Sequence, residues 1–195
     1  MNFSAVILAG GKSSRMGCDK AFIEIAGQTL LTRHIQLVRT AGAREIVISG
    51  RAETDYSAFG LPVLQDSFPD AGPLAGIHSA LQATTSPLLL VLAVDLPAMT
   101  ADFLQTLTAG CSENTGVVPS IKENLEPLAA IYPKAALPLA TSLLAQNSLT
   151  VKNFARQCEQ AGLISFIDLP DSATEFFLNC NSPGELESLR LHSSR

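Results

Sequence analysis

Seven short apolar runs constrain this chain more than any other feature of its sequence: Ala5–Leu8, Glu45–Ser49, Pro62–Leu64, Leu88–Val94, Gly116–Pro119, Leu128–Tyr132 and Ser165–Leu169. Each has the length of a strand, and helix-period segments lie between them, which is the pattern of a mainly parallel sheet covered by helices. After the first run, Leu31, Ile35 and Val38 stand at helical spacing and Gly42 supplies a stop. A second helix is predicted from Pro73, whose fixed φ suits the first helical position, with Leu74, Ile77 and Leu81 on its buried face. Thr100 can cap a third. Pro138 interrupts a helical pattern over 133–146, so that segment is expected to kink or to start its helix late. Ser182-Pro-Gly-Glu185 has capping-box spacing ahead of Leu186 and Leu189 and predicts a C-terminal helix. No Pro/Gly/Ser-rich linker, repeat or low-complexity tract divides the 195 residues, so one domain over 1–195 is expected. The expected fold class is α/β: a three-layer, Rossmann-like, mainly parallel sheet with helices on both faces.

Composition removes several function classes. No apolar run reaches the ~18 residues of a membrane-spanning helix, and the N-terminus lacks a basic region followed by an apolar signal core. A cytoplasmic location with no membrane partner is therefore expected. Cys18, Cys111, Cys158 and Cys180 form no C-x-x-C pair, which argues against a zinc site or a redox dithiol. His34, His78 and His192 have no ligand spacing and read as packing or surface residues. The net charge of −5 argues against a nucleic-acid partner. Yet three of the 13 Lys and Arg residues fall between Lys12 and Lys20, as expected for a chain that binds a small polyanion there.

Those cations sit in Leu8-Ala-Gly-Gly-Lys-Ser-Ser-Arg-Met-Gly-Cys-Asp-Lys20, a glycine-rich loop directly after the first strand. Gly10, Gly11 and Gly17 let the backbone turn tightly and aim amide N–H groups at oxyanions. A Walker loop would need Gly where Val6 stands, and no G-x-G-x-x-G occurs, so this is a different phosphate loop. In open parallel sheets ligands bind beyond the carboxyl ends of the strands. The glycine loop, Asp66 after Val63-Leu64, and Asp95 after Leu88–Val94 all belong to that edge on this reading. Asp95, at the end of so apolar a run, can reach into the crevice and hold a hard cation such as Mg²⁺. It can equally cap the turn before Leu96-Pro97.

The spacing L-A-G-G-x-x-x-R-M-G-x-D-K is followed by D-S-F-P-D-A-G-P-L-A-G from Asp66 to Gly76, V-D-L-P around Asp95, E-P-L-A-A-I-Y from Glu126, and N-C-N-S-P-G-E-L from Asn179 to Leu186. This ordered set resembles the nucleotidyltransferases related to molybdenum cofactor guanylyltransferase, and covers nearly the whole chain. The resemblance implies a sheet of the nucleotide-diphospho-sugar transferase type. It also implies Mg²⁺-dependent transfer of GMP from GTP to molybdenum-molybdopterin, with release of pyrophosphate. Molybdoenzymes or their chaperones are the protein partners implied. By the family pattern, Leu8, Ala9, Gly10, Gly11, Lys20, Ser49, Asp66 and Asp95 bind GTP, and Arg15, Lys20 and Asp95 are catalytic. Asp95 would also hold the metal, and Asn179 and Asn181 the acceptor. Ser49 stands where family members commonly carry Asn. The Asn147–Val151 segment lacks the cations that some relatives place there, and Lys152 and Arg156 could substitute by register. Two alternatives share the loop: a cytidylyl- or sugar-phosphate nucleotidyltransferase, and a nucleotide-binding module without turnover. Lys20 together with Asp95 favours an enzyme. Leu8-Ala-Gly-Gly favours the guanylyl branch, because the cytidylyl relatives tend to read Ala-Ala-Gly.

Overall fold

The computed structural model of the protein describes residues 1–10, 19–68 and 70–179. All seven apolar runs form strands, because each offers side chains to a buried face. In chain order the strands are β1 (Phe3–Leu8), β2 (Glu24–Ile25), β3 (Gln28–Thr29), β4 (Ile46–Ser49), β5 (Val63–Leu64), β6 (Leu88–Ala93), β7 (Gly116–Ile121), β8 (Asn124–Leu125), β9 (Ala129–Pro133) and β10 (Ile164–Asp168). The main sheet runs β10-β7-β9-β6-β1-β4-β5, with β8 paired to β7, while β2 and β3 make a separate hairpin. β1 lies parallel between β4 and β6, in a register that runs from Phe3 opposite Leu88 to Leu8 opposite both Ala93 and Ser49. β9 runs against its neighbours, antiparallel to both β6 and β7, and the short β8 before it is likewise antiparallel to β7. Its direction follows from the tight turn at Lys122 and Glu123 (φ 49° and 67°), which reverses the chain without room for a crossover.

Helices cover both faces. Alternate residues of the central strands point opposite ways: Phe3, Ala5, Ile7, Leu88, Leu90 and Leu92 enter one core, Val6, Leu8, Leu89 and Val91 the other. With both faces buried, these strands carry no polar alternation. The first core is closed by α1 (Leu30–Thr40) and α3 (Ala101–Ala109), the second by α2 (Pro73–Ala83), α4 (Leu137–Ala145) and α5 (Val151–Gln160). Thr29 caps α1 and Thr100 caps α3, each hydroxyl accepting an N–H three residues on. α4 is the late start expected near Pro138: a 3-10 turn over Lys134–Ala136 leads in, and the proline falls in the first turn, where its missing N–H is not needed. The helix expected from Ser182 lies outside the described residues. No helix among the described residues is long and apolar enough to cross a membrane.

His34 on the inner face of α1 has a pH consequence. It is 1% exposed, its Nδ1–H donates to the Leu30 carbonyl at 2.7 Å, and burial pulls its pKa from 6.5 down to about 4. The native state thus holds the neutral ring, whereas the unfolded chain accepts a proton near the usual pKa. Stability from this residue is complete above the unfolded pKa and is lost as pH falls toward the folded one, roughly 2 to 3 kcal/mol between pH 7 and 4.5. Urea unfolding at several pH values in that window should show a flatter profile for His34→Leu than for wild type. Parallel profiles would be inconsistent with a buried neutral imidazole.

Candidate functional site

β1, β4 and β6 end side by side, and a cavity of about 400 Å³ opens beyond their carboxyl ends. β1 contributes Leu8, Ala9 and Gly10, and β4 contributes Ser49. The segment entering α2 adds Asp66, Asp70, Gly72 and Pro73, and the end of β6 leads to Val94 and Asp95. Main-chain bonds hold this floor together: Ala9 N–H donates to Ser49 O (2.8 Å), Val94 N–H to Leu8 O (3.1 Å) and Ala93 N–H to Leu128 O (2.8 Å). Two glycines shape the wall. Gly72 adopts φ 68°, a left-handed conformation that lets the chain turn into Pro73 and begin α2. At Gly76 a Cβ would run into the Ser49 hydroxyl and the Leu8 side chain, so only glycine lets α2 lie flat against the strand ends.

Lys20 reaches the same cavity from a 3-10 turn over Lys20–Phe22. Its Nζ lies 2.9 Å from Asp95 Oδ2, with the two side chains 17% and 24% exposed, so residues 75 apart in sequence form one partly buried ion pair. Asp66 is exposed at the rim, yet loss of hydration around its carboxyl raises the pKa, opposed by a hydrogen bond from Ser49 Oγ at 3.4 Å. The Ser49 hydroxyl is thus already directed at a carboxylate.

Leu8, Ala9, Gly10, Lys20, Ser49, Asp66 and Asp95 therefore line one cavity, as the strand-edge rule predicts. Gly11, Arg15 and Asn181 lie outside the described residues. Asn179 is exposed and does not line the cavity. Lys152 and Arg156 lie exposed on the first two turns of α5. Lys152 acts on Glu126, a half-buried carboxylate whose pKa is raised by desolvation and lowered by that ammonium. Asp70 and Leu128 line the cavity without having been singled out from sequence, and a single Asp or Leu in a loop carries no signal of that placement.

Among the described residues the polar lining consists of carboxylates, a hydroxyl and an ammonium, with neither His nor Cys. That donor set suits a hard cation. Among the described residues no three His, Cys, Asp or Glu side chains converge into a cage. Asp95 fits Mg²⁺ in the mode where one or two carboxylates share the ion with substrate phosphates and water.

Comparison with known proteins defines the class. The chain is a nucleotidyltransferase, an enzyme that moves a nucleoside monophosphate from a triphosphate to an acceptor. It belongs to the MobA-like NTP transferase domain family, which it matches over residues 5–161. It is 35% identical over 190 residues to a probable molybdenum cofactor guanylyltransferase of Opitutus terrae, covering 96% of this chain and 94% of that one. With the molybdenum cofactor guanylyltransferase of Photobacterium profundum the identity is 30% over 187 residues, covering 94% and 93%. In fold it resembles the molybdopterin-guanine dinucleotide biosynthesis protein A of Archaeoglobus fulgidus, with a TM-score of 0.76, 21% identity and 98% of both chains covered. The 4-diphosphocytidyl-2C-methyl-D-erythritol synthase of Anaerococcus prevotii shares the fold equally well, with a TM-score of 0.78 at 13% identity, covering 100% of this chain and 96% of that one.

Proposed function

We propose that this enzyme transfers GMP from GTP to the terminal phosphate of molybdenum-molybdopterin in the cytoplasm, forming the guanine dinucleotide cofactor and pyrophosphate. The observation that carries the reading is the Lys20–Asp95 pair facing the Gly72–Gly76 turn across one cavity. The names of the curated relatives supply the acceptor. In the reaction an oxygen of the acceptor phosphate forms a bond to the α-phosphorus of GTP while the bond to the β-phosphate oxygen breaks, and pyrophosphate leaves with that electron pair. The nucleophile is already an anion, so no residue need remove a proton, and the described residues that line the cavity include no histidine.

Catalysis is then alignment plus charge neutralisation. Lys20 directs its ammonium at the triphosphate, where negative charge builds on the departing pyrophosphate. Asp95 would hold Mg²⁺, which when bound offsets the charge of the phosphate oxygens. In the family pattern Arg15 lies over the phosphates, and Asn179 and Asn181 belong to the acceptor end. Asp66, kept in place by Ser49, and the main chain at Gly72–Gly76 would read the base. Guanine offers an N1–H and N2–H₂ donor edge that cytosine lacks, so CTP would leave acceptors that a bound base covers unpaired, at about 1 to 3 kcal/mol each.

A pyrophosphate-release assay with the metallated pterin, run with GTP, CTP, ATP and UTP, tests this. The expected kcat/KM for GTP exceeds that for CTP by at least about ten-fold. Equal use of GTP and CTP would reject the guanylyl assignment. A cytidylyltransferase would show the reverse preference, and its fold is represented among the similar structures.

A further inference from the structure

The segment that presents Lys20 is tied to a loop from the other side of β4. Asp19 uses both carboxylate oxygens. Oδ1 accepts the Ala21 N–H at 3.0 Å and caps the 3-10 turn, and Oδ2 accepts the Tyr56 hydroxyl at 3.2 Å and the Thr54 hydroxyl at 3.4 Å. Tyr56 is 2% exposed, although it sits in a loop. It fits there because Gly50 has no side chain: a Cβ at Gly50 would clash with the Cε2 edge of the tyrosine ring. The Arg51 N–H donates to the phenol oxygen at 3.4 Å. Phe22, two residues after Lys20, stacks on the ring with centroids 5.9 Å apart and planes 20° apart. Burial raises the phenol's pKa and keeps it a donor.

We propose that Asp19 and Tyr56 form a latch that positions Lys20 over Asp95, so that Tyr56, buried and remote in sequence, tunes the nucleotide step without touching substrate. The Lys20–Phe22 turn is held by two main-chain hydrogen bonds, Phe22 N–H to Asp19 O at 3.1 Å and Ile23 N–H to Lys20 O at 3.2 Å, and by the burial of Ala21, and the Asp19 carboxylate that caps it sets the angle at which it begins. The latch adds a restraint on that carboxylate from 37 residues away. Gly50 is then required because the tyrosine needs its space.

The inference rests on the reading that Lys20 acts on the bound triphosphate, and a mutant cycle on the full chain separates the two. Tyr56→Phe keeps the ring, the stack and the burial and removes the hydrogen bond donated to Asp19 together with the longer one accepted from the Arg51 N–H. Its kcat/KM for GTP is expected to fall about ten-fold in the wild-type background and by less than about two-fold when Lys20 is already Ala. Equal losses in both backgrounds would mean a merely structural tyrosine, and no loss in either would remove the latch. Hydrogen exchange without nucleotide gives a readout independent of turnover: the Ala21 and Phe22 amides should exchange faster in Tyr56→Phe, with exchange in the central strands unchanged. Unaltered exchange at Ala21 overturns the proposal. Should wild type prefer another triphosphate, the guanylyl assignment fails while the same cycle, run with that nucleotide, still decides the latch.

Discussion

Asp95→Asn is expected to cut nucleotidyl transfer by roughly two to three orders of magnitude while leaving the melting temperature within a few degrees of wild type. Asn has nearly the same shape, and its amide oxygen can still accept from the Lys20 ammonium. The strand end beneath it is held by the Ala93 and Val94 main chain and does not depend on the side chain. What disappears is the negative charge. A neutral amide is a poor ligand for a hard cation, and Lys20 loses the counter-ion that lies 2.9 Å away. The measurement is pyrophosphate release across a Mg²⁺ titration, with thermal unfolding alongside. Turnover near wild type at limiting Mg²⁺ would sink the metal role, and a large drop in melting temperature would recast Asp95 as a structural cap.

Gly116→Ala should have the largest effect on stability. Gly116 begins β7, and an added Cβ there would meet the Ile131 carbonyl and the Tyr132 Cα of β9, which are main chain and cannot rotate aside. Accommodating a methyl group means parting β7 from β9 where Val117 faces Ile131, and β7 also carries β8 and β10. The expected cost is about 3 kcal/mol. For a chain of this size that lowers the melting temperature by roughly 6 to 12 °C. Gly116 stands at the start of its strand, at the opposite edge from the cavity, so GTP affinity measured well below the transition should stay within about two-fold of wild type. A shift under about 2 °C would show that the sheet yields at this point.

The structure agrees with the sequence where the signal is local. Leu31, Ile35 and Val38 face the core of α1 as their spacing requires, Thr100 caps α3, and Pro138 opens α4 instead of breaking it. α5 was not expected although its signal is just as local, with Val151, Phe154, Ala155 and Cys158 recurring at i, i+3, i+4 and i+7 and Lys152, Asn153, Arg156 and Gln157 between them. The β2–β3 hairpin turns at Ala26 and Gly27, with φ 52° and 77°, and Ala-Gly is a weak turn signal beside Asn-Gly. At the site, Lys20, Asp66 and Asp95 were legible as one group because a parallel sheet gathers the loops after its strands on one edge, while Ser49 was expected there only from the family resemblance.

By itself, then, the sequence determined the seven apolar strands and the helices α1 to α4, the faces they bury, and the edge of the sheet from which the glycine loop leaves β1, since hydrophobic period and loop position are properties of neighbouring residues. Tertiary structure alone decided the rest. It buries His34 without charge, sets Lys20 against Asp95, and fits Tyr56 into the space above Gly50. Each of these depends on how closely two segments far apart in the chain approach. That distance comes from packing the whole sheet between its helices, and no window of residues encodes it.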